Sequence, residues 1–552
     1  MRRPWRYTAI ALFLLTLLLG TVFGGRLQAL DDDTRESMRL YTELLSAAHE
    51  NYGAEVNYRD LVYASIQGVT RTLDPHTYFL APQAYDGMRE RQKSSFYGLG
   101  ILVGQRNGRV TVITPIEGGP ASRLGVQAGD IIDTIDGEST EPLSLDDAVR
   151  KLKGPKGSTV TITLLRRGLD KPLEMKVVRA EIPLTTVRYS YMLTPDTAYM
   201  RITDFNRGTG DEVTQELARL KEMGMKRLLL DLRNNGGGLL DQAIEVGEQF
   251  VPQGSKIVET RGRTRSSYQT FYGNGADRGL DIPVVVLVNS GTASAAEILA
   301  GAIQDHDIGV IAGTPTWGKG LVQTVYSLSY GAGLALTTAK YYTPSGRLIQ
   351  RDYSSYFDYY AYNPLEAGPE IGGTESEPET PASPRDPEAF QTDLGRSVYG
   401  GGGITPDVAI PAAPISSFLQ FLHTRNAFFD FAVEYERKHP PKDEGWKPGK
   451  AVLDEFTQWL GREDLGEVDE MKTSLADEET ASYALRQIRA EVFNAAFGQE
   501  AWHRVLASGD PQIEAGLGLF DRAAELLTNR NRIEDPQRAS LEADKGKGGR
   551  GI

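Results

Sequence analysis

The chain has no cysteine. That excludes disulfides, a thiol nucleophile and thiolate-bound zinc. Histidine is scarce, and His49, His76, His306, His423, His439 and His503 are scattered along the sequence. "HENYG" from His49 is not H-E-x-x-H, and the acids of "DIIDTIDG" from Asp130 fall three apart, unlike a calcium loop. We therefore expect no metal and no cofactor. Positive charge is also short: the net charge is −14. A nucleic-acid partner would require clustered Lys and Arg to displace counterions from phosphates, so none is expected. No internal repeat is present.

Long apolar runs are missing except at the start. Arg2, Arg3 and Arg6 precede "TAIALFLLTLLLGTVFGG". A positive flank before such a run, over 1–30, reads as a secretory signal or a retained membrane anchor. The run is short for a full span, which takes ~20 residues. No clean small-x-small cleavage site comes after it, because Leu27 precedes Gln28-Ala29. Both readings stay open. Either places the body of the chain outside the cytoplasm, with membrane contact confined to this segment.

Beyond residue 30 the chain changes texture in blocks. Residues 31–95 carry apolar positions at three- and four-residue spacing, as in "MRLYTELLSAAHENY", and read as helical. Pro75 and Pro82 then break the pattern; His76 between them reads as a turn residue. From 96 to 182 the texture is short strands and glycine turns. Asn107-Gly108 marks a hairpin, Asp136-Gly137 closes another strand, and Ser144 caps a helix. This order resembles a PDZ domain of bacterial envelope proteases. "GLGI", Gly98-Leu99-Gly100-Ile101, occupies the carboxylate-binding loop of that family. Glycines there let successive N–H groups converge on one anion, and a peptide would add as an extra strand.

Residues 183–350 alternate strands with helices, an α/β core. Residues 351–399 are rich in Pro, Glu, Ser and Gly, too poor in apolar surface to order themselves, and read as a disordered insertion. Strand texture resumes over 400–412 and ends the core. Residues 413–532 are helical, suited to packing, homo-oligomer formation or a partner protein. Residues 533–552 read as a disordered tail.

"VNSGTASAAEILAG" comes directly after the very apolar "IPVVVL". Ser290, Thr292 and Ser294 could each cap the next helix, and on this segment alone capping is the better reading. A polar loop between a buried strand and a helix is also where α/β folds place reactive groups. A nucleophilic serine needs a base. His306 would lie roughly 18 Å from Ser294 along a helix rising ~1.5 Å per residue, out of reach. Lys319, in "TPTWGKGLVQ", sits between glycines in apolar surroundings. Desolvation there would lower its pKa toward that of a usable base, although flanking glycines alone read as a surface turn.

Five segments, "DLRNNGGGLLDQA", "VNSGTASAAEILAGAIQD", "GTPTWGKGLVQ", "TTAKYYTPSGRLIQ" and "GGITPDV", resemble in order and spacing those of the carboxy-terminal processing peptidases, or tail-specific proteases. The likeness covers roughly 96–411 less the insertion. It implies a crotonase-like serine peptidase core with an inserted PDZ domain and helical N- and C-terminal regions. It implies Ser294 as nucleophile, Lys319 as general base and Gln323 orienting the lysine, a triad with Lys for His and Gln for Asp. The oxyanion donors by the same likeness are the amides of Ala295 and Gly237. Two positions depart from the family: Gly236 stands where Pro is common, and Ala296 where a second Ser is common. The implied partners are proteins with accessible apolar C-termini. A PDZ adaptor with a dead core is the rival reading, disfavoured because Ser294, Lys319 and Gln323 are all present. A hydratase-like crotonase enzyme would need a CoA-sized pocket that nothing in the sequence demands.

Overall fold

The computed structural model describes residues 32–274, 280–353, 388–465 and 468–534. The expected signal or anchor, most of the insertion and the C-terminal tail lie outside them. Among the described residues no helix is long and apolar enough to cross a membrane.

The chain divides into two compact units. Among the described residues the first comprises 32–82 with 325–336. Its helices α1 (Asp32–Asn51) and α2 (Tyr58–Arg71) follow the expected apolar spacing, with Asn57 capping α2. Its short strand β1 (Tyr78–Leu80) runs antiparallel to residues 333–335. Asp74 organises the turn before it, accepting from the amides of His76 and Thr77.

The second unit holds the remainder. Its PDZ-like region begins with β2 (Ser95–Gly98), which pairs with β9 (Ala180–Pro183) and joins the two ends of the module. Between them run β3 (Ile101–Arg106), β4 (Arg109–Pro115), α3 (Pro120–Arg123), β5 (Ile131–Ile135), β6 (Glu138–Ser139), α4 (Leu145–Leu152), β7 (Thr159–Leu165) and β8 (Leu173–Val178). The β3–β4 turn has positive φ at Asn107 and Gly108, as the Asn-Gly pair predicts. Ser144 accepts from the Asp147 amide at the head of α4. Alternating residues of β4, β5, β7 and β8 bury Val112, Ile132, Ile162 and Val177 with Leu99 in one small core.

The α/β core is built on a six-stranded sheet. Strands β10 (Val187–Met192) and β11 (Thr197–Ile202) are antiparallel. From β11 onward, β12 (Arg227–Asp231), β15 (Val284–Val288), β16 (Gly309–Gly313) and the short strand at Val408–Ala409 follow in that order, all parallel. Helices α5 (Thr209–Glu222), α6 (Leu240–Phe250) and α7 (Ala295–Asp305) cover one face. The other face carries Tyr199, Leu229, Val285 and Val310, packed under Ile513, Phe520 and Ala523 of the C-terminal region. Burial on both faces explains why "VVVLV" is apolar without alternation. A second sheet contains β13 (Lys256–Gly262) between β14 (Gln269–Tyr272) and residues 339–342.

The C-terminal region is helical as expected: α8 (Ser417–Thr424), α9 (Ala427–Lys438), α10 (Lys450–Arg462), α11 (Val468–Ser474), α12 (Glu478–Phe497), α13 (Gln499–Ala507), α14 (Pro511–Leu517) and α15 (Phe520–Glu534). Phe428, Phe431, Phe456, Trp459, Ile488 and Phe493 form its own core. Arg167 of the PDZ region pairs with Glu434 and Glu463 of this bundle. His503 on α13 stacks on Tyr189 of the sheet at 3.8 Å between ring centres. Burial, with Arg201 adding to it, pushes that imidazole down to about 3, so it docks as a neutral ring.

One boundary needs correction. The reading of 351–399 as disordered is too broad. Residues 354–387 lie outside the described residues, but Ala389–Gln391 and Ser397–Tyr399 form a hairpin. Composition missed it because Val398 is buried, Leu394 packs against a core built from distant residues, and the polar contacts are equally long-range. Arg396 bonds Asp307 and Asp407, and the Leu394 amide donates to Asp307.

Candidate active site

Parallel pairing brings two sequence-distant loops together. β12 and β15 are neighbours, so "NNGGG" and "NSGTAS" leave the sheet at the same carboxyl end. They are cross-braced there. The Asn234 amide donates to Asn289 Oδ1 at 2.8 Å, and Asn289 Nδ2 returns a bond to Asn234 Oδ1 at 2.9 Å. The Ala293 amide donates to the Asn235 carbonyl at 2.9 Å. Thr292 is buried and its hydroxyl donates to the Leu232 carbonyl. Thr292 is thus a brace of the loop.

Ser294 stands at the N-cap of α7 with φ 54° and ψ −116°. A non-glycine residue in that region carries strain. Gly237 explains part of the crowding. Its φ is +93°, and a Cβ there would fall 2.7 Å from the Ala293 carbonyl oxygen and 2.8 Å from the Ala295 nitrogen. Only glycine lets this backbone approach the serine so closely. The Gly237 amide donates to Asn235 Oδ1 at 2.9 Å. An oxyanion would have to share that hydrogen or displace the carboxamide. Ala295 is the first helical residue, where amides lack intrahelical acceptors. The Gly236 departure has no steric cause, since a Cβ there would meet nothing within 4 Å. Ala296 is fully buried in the core.

Lys319 lies beyond β16, the next parallel neighbour of β15. Its Nζ donates to Gln323 Oε1 at 2.9 Å, from the loop to strand β17 (Leu321–Ser327). Ser294, Lys319 and Gln323 are each half-buried. The Trp317 amide donates to the Thr292 carbonyl at 2.9 Å, tying the lysine loop to the serine loop.

One residue to which the sequence alone assigned no role holds these pieces. Glu297 on α7 is fully buried. Its Oε2 accepts from the Ser294 amide at 2.8 Å and the Lys319 amide at 2.9 Å. Its Oε1 accepts from Thr316 Oγ1 at 2.5 Å and the Gly318 amide at 2.7 Å. Burial pushes the carboxyl above its ordinary range, and these four donors pull the other way. A proton on it would have to face Thr316 Oγ1, and the threonine hydrogen would then lose the acceptor it now has. The geometry therefore fits the carboxylate. The signal was available: Ser294 and Glu297 make the S-x-x-E spacing of a capping box.

His306 caps the far end of α7, donating to Asp393 and to the Lys256 carbonyl. In the PDZ region, Gly98 ends β2, Leu99 is buried, Gly100 has φ +70° and Ile101 begins β3. The Gly100 carbonyl accepts from the Ile116 amide and that of Leu99 from Ala121, which fixes the loop's curvature.

Residues 196–354 match peptidase family S41, and residues 111–166 match the PDZ domain. A carboxy-terminal-processing protease of Bartonella bacilliformis is 38% identical over 324 residues, 58% of this chain and 74% of that protein. A carboxyl-terminal-processing protease of Synechocystis is 38% identical over 53% of this chain and 69% of its own. The solved photosystem II D1 C-terminal processing protease aligns at 33% identity over 55% of this chain and 83% of that one, with a TM-score of 0.32. The molecule is accordingly a serine peptidase that carries a PDZ domain. It belongs to peptidase family S41, among the carboxy-terminal processing proteases.

Proposed function

We propose that this chain is an endopeptidase of the cell envelope that uses a Ser294–Lys319 dyad on proteins with accessible apolar C-terminal tails. The observation that carries the dyad is the Lys319 Nζ bond to Gln323 Oε1 at 2.9 Å, with the Lys319 and Ser294 amides on one carboxylate. In its neutral form Lys319 takes the Ser294 hydroxyl proton as the oxygen attacks the scissile carbonyl. The resulting ammonium then protonates the leaving amine, and water hydrolyses the acyl-enzyme by the same route in reverse. Gln323 spends its carbonyl on one lysine hydrogen and so aims the nitrogen. The Ala295 amide, joined by Gly237 once Asn235 yields it, would stabilise the oxyanion. Gly98, Leu99, Gly100 and Ile101 would receive the tail carboxylate, with the peptide added beside β3. The envelope location rests on the charged, apolar leader over 1–30.

The test is cleavage of an unfolded reporter protein with and without an apolar C-terminal tail. Wild type should cut the tailed form faster. Ser294→Ala and Lys319→Ala should each lose at least about a thousand-fold in kcat/KM. Wild-type rates in either variant would sink the dyad, and equal rates for both reporters would sink tail recognition.

A further inference from the structure

Two buried side chains reach the same two residues, one at their amides and the other at their carbonyls. Glu297 accepts from the backbone amides of Ser294 and Lys319. Tyr341, 1% exposed, directs its hydroxyl at the backbone carbonyls of those same residues, 3.0 Å from Ser294 O and in short contact with Lys319 O. Burial and the charge of Glu297 keep the phenol protonated, so it remains a donor. The Tyr341 amide in turn donates to the Gly320 carbonyl at 3.0 Å. Ser294 and Lys319 belong to different loops with no covalent route between them shorter than α7 and β16. Their relative position must therefore be set by bonds such as these.

We infer that Glu297 and Tyr341 are positioning residues, a two-sided backbone clamp that sets the nucleophile against its base. Glu297 holds the two amides, and Tyr341 shares its single hydroxyl hydrogen between the two carbonyls. Neither side chain need touch substrate. The inference deepens the proposed dyad and rests on it. A carboxylate is suited to its side because it accepts from every direction and offers no hydrogen. A glutamine would place an NH2 group against at least one backbone N–H, since each oxygen now receives one. A phenol is suited to the other side because it donates to carbonyls without adding charge beside the lysine.

The full chain and its Glu297→Gln, Glu297→Asp and Tyr341→Phe variants separate these roles. kcat and KM are measured per folded molecule on the tailed reporter across pH, and amide exchange is read by mass spectrometry over 289–301 and 315–324. Glu297→Gln should speed exchange in both segments and lower kcat about ten- to a hundred-fold, the cost of a misplaced reacting group. KM should stay within about three-fold, as expected when only transition-state geometry suffers. The acid limb of the pH profile should move to lower pH, because removing an anion disfavours the lysine ammonium. Glu297→Asp should return the limb to its wild-type position while kcat stays low. Tyr341→Phe should speed exchange and lower kcat without moving the limb. Unchanged exchange in both variants overturns the clamp, as does unchanged kcat per folded molecule. If wild type and Ser294→Ala are equally inert, the dyad fails instead. Exchange alone then decides the clamp: faster in both loops supports it, unchanged overturns it.

Discussion

The two ends of α7 are both buried and both polar, yet they are built differently. At the N-terminal end one carboxylate, Glu297, receives three backbone amides and a hydroxyl, all neutral. At the C-terminal end the acids meet full charges. Asp305 pairs with Arg347 at 2.7 Å, both side chains 1% exposed or less, and Asp307 pairs with Arg396 at 2.5 Å. His306 adds Asp393 at 2.7 Å. Bonds to neutral backbone fix where particular amides sit. Bonds between charged side chains fix which chain segments stay attached, here residues 343–350 and the hairpin of 389–399. The first arrangement suits a site that must be precise, and the second suits an anchor. Substitutions at the N-terminal end should therefore change rate, and those at the C-terminal end should change stability.

Arg347→Met gives the largest stability effect. It leaves the Asp305 carboxylate buried with the Ser345 amide as its remaining partner in that cluster. Breaking a buried pair on one side costs about 3–5 kcal/mol. Denaturant unfolding should show that loss, while kcat per folded molecule stays within about two-fold, as for a site outside the transition-state contacts. A ten-fold loss of kcat at unchanged stability would break the contrast between the two ends.

How far the sequence foretold this contrast differs by level. Hairpins at Asn107-Gly108, the Ser144 cap and the apolar β15 were readable because local residues decide them. The residues of the proposed dyad follow from the family likeness, not from physics. Within "VNSGTASAAEILAG", Glu297 is readable as the fourth member of a capping box. Tyr341 and Arg347 lay inside the family-like segment "TTAKYYTPSGRLIQ" with no role attached. Their partners, Ser294 and Asp305, are brought to them only by the parallel order β15–β16 and the return of the chain after Tyr342. No local pattern encodes that. The hairpin after the insertion was hidden for the same reason, since Arg396 finds Asp307 across the fold.

Gln323→Ala sharpens the N-terminal side with a smaller effect. It removes one acceptor from Lys319 and leaves Glu297 with all four donors. A single hydrogen bond is worth about 0.5–1.5 kcal/mol, so kcat should fall about three- to ten-fold. The thermal midpoint should shift by no more than about 2 °C, as for a partly exposed residue. A large drop in the midpoint with little change in kcat would mean that this end, too, is an anchor.

His306 provides the finest test, because pH alone can switch it. Burial opposes the imidazolium, but the bonds to Asp393 and to the Lys256 carbonyl outweigh it and raise the pKa above 6.5. Both ring nitrogens face acceptors, so both must carry hydrogen for the two bonds to coexist. A raised folded value means that the stabilisation is complete below 6.5 and fades as pH rises through the folded value. His306→Gln, which keeps one neutral donor, should be less stable than wild type at pH 6 and nearly equal to it at pH 9. Because the Asp393 side chain is 62% exposed, added salt should narrow the pH 6 difference. Denaturant unfolding at the two pH values and two salt concentrations reads this directly. Activity per folded molecule should follow none of it. If kcat tracked the His306 titration instead, the far end of α7 would be coupled to the serine, and the division between a positioned end and an anchored end would not hold.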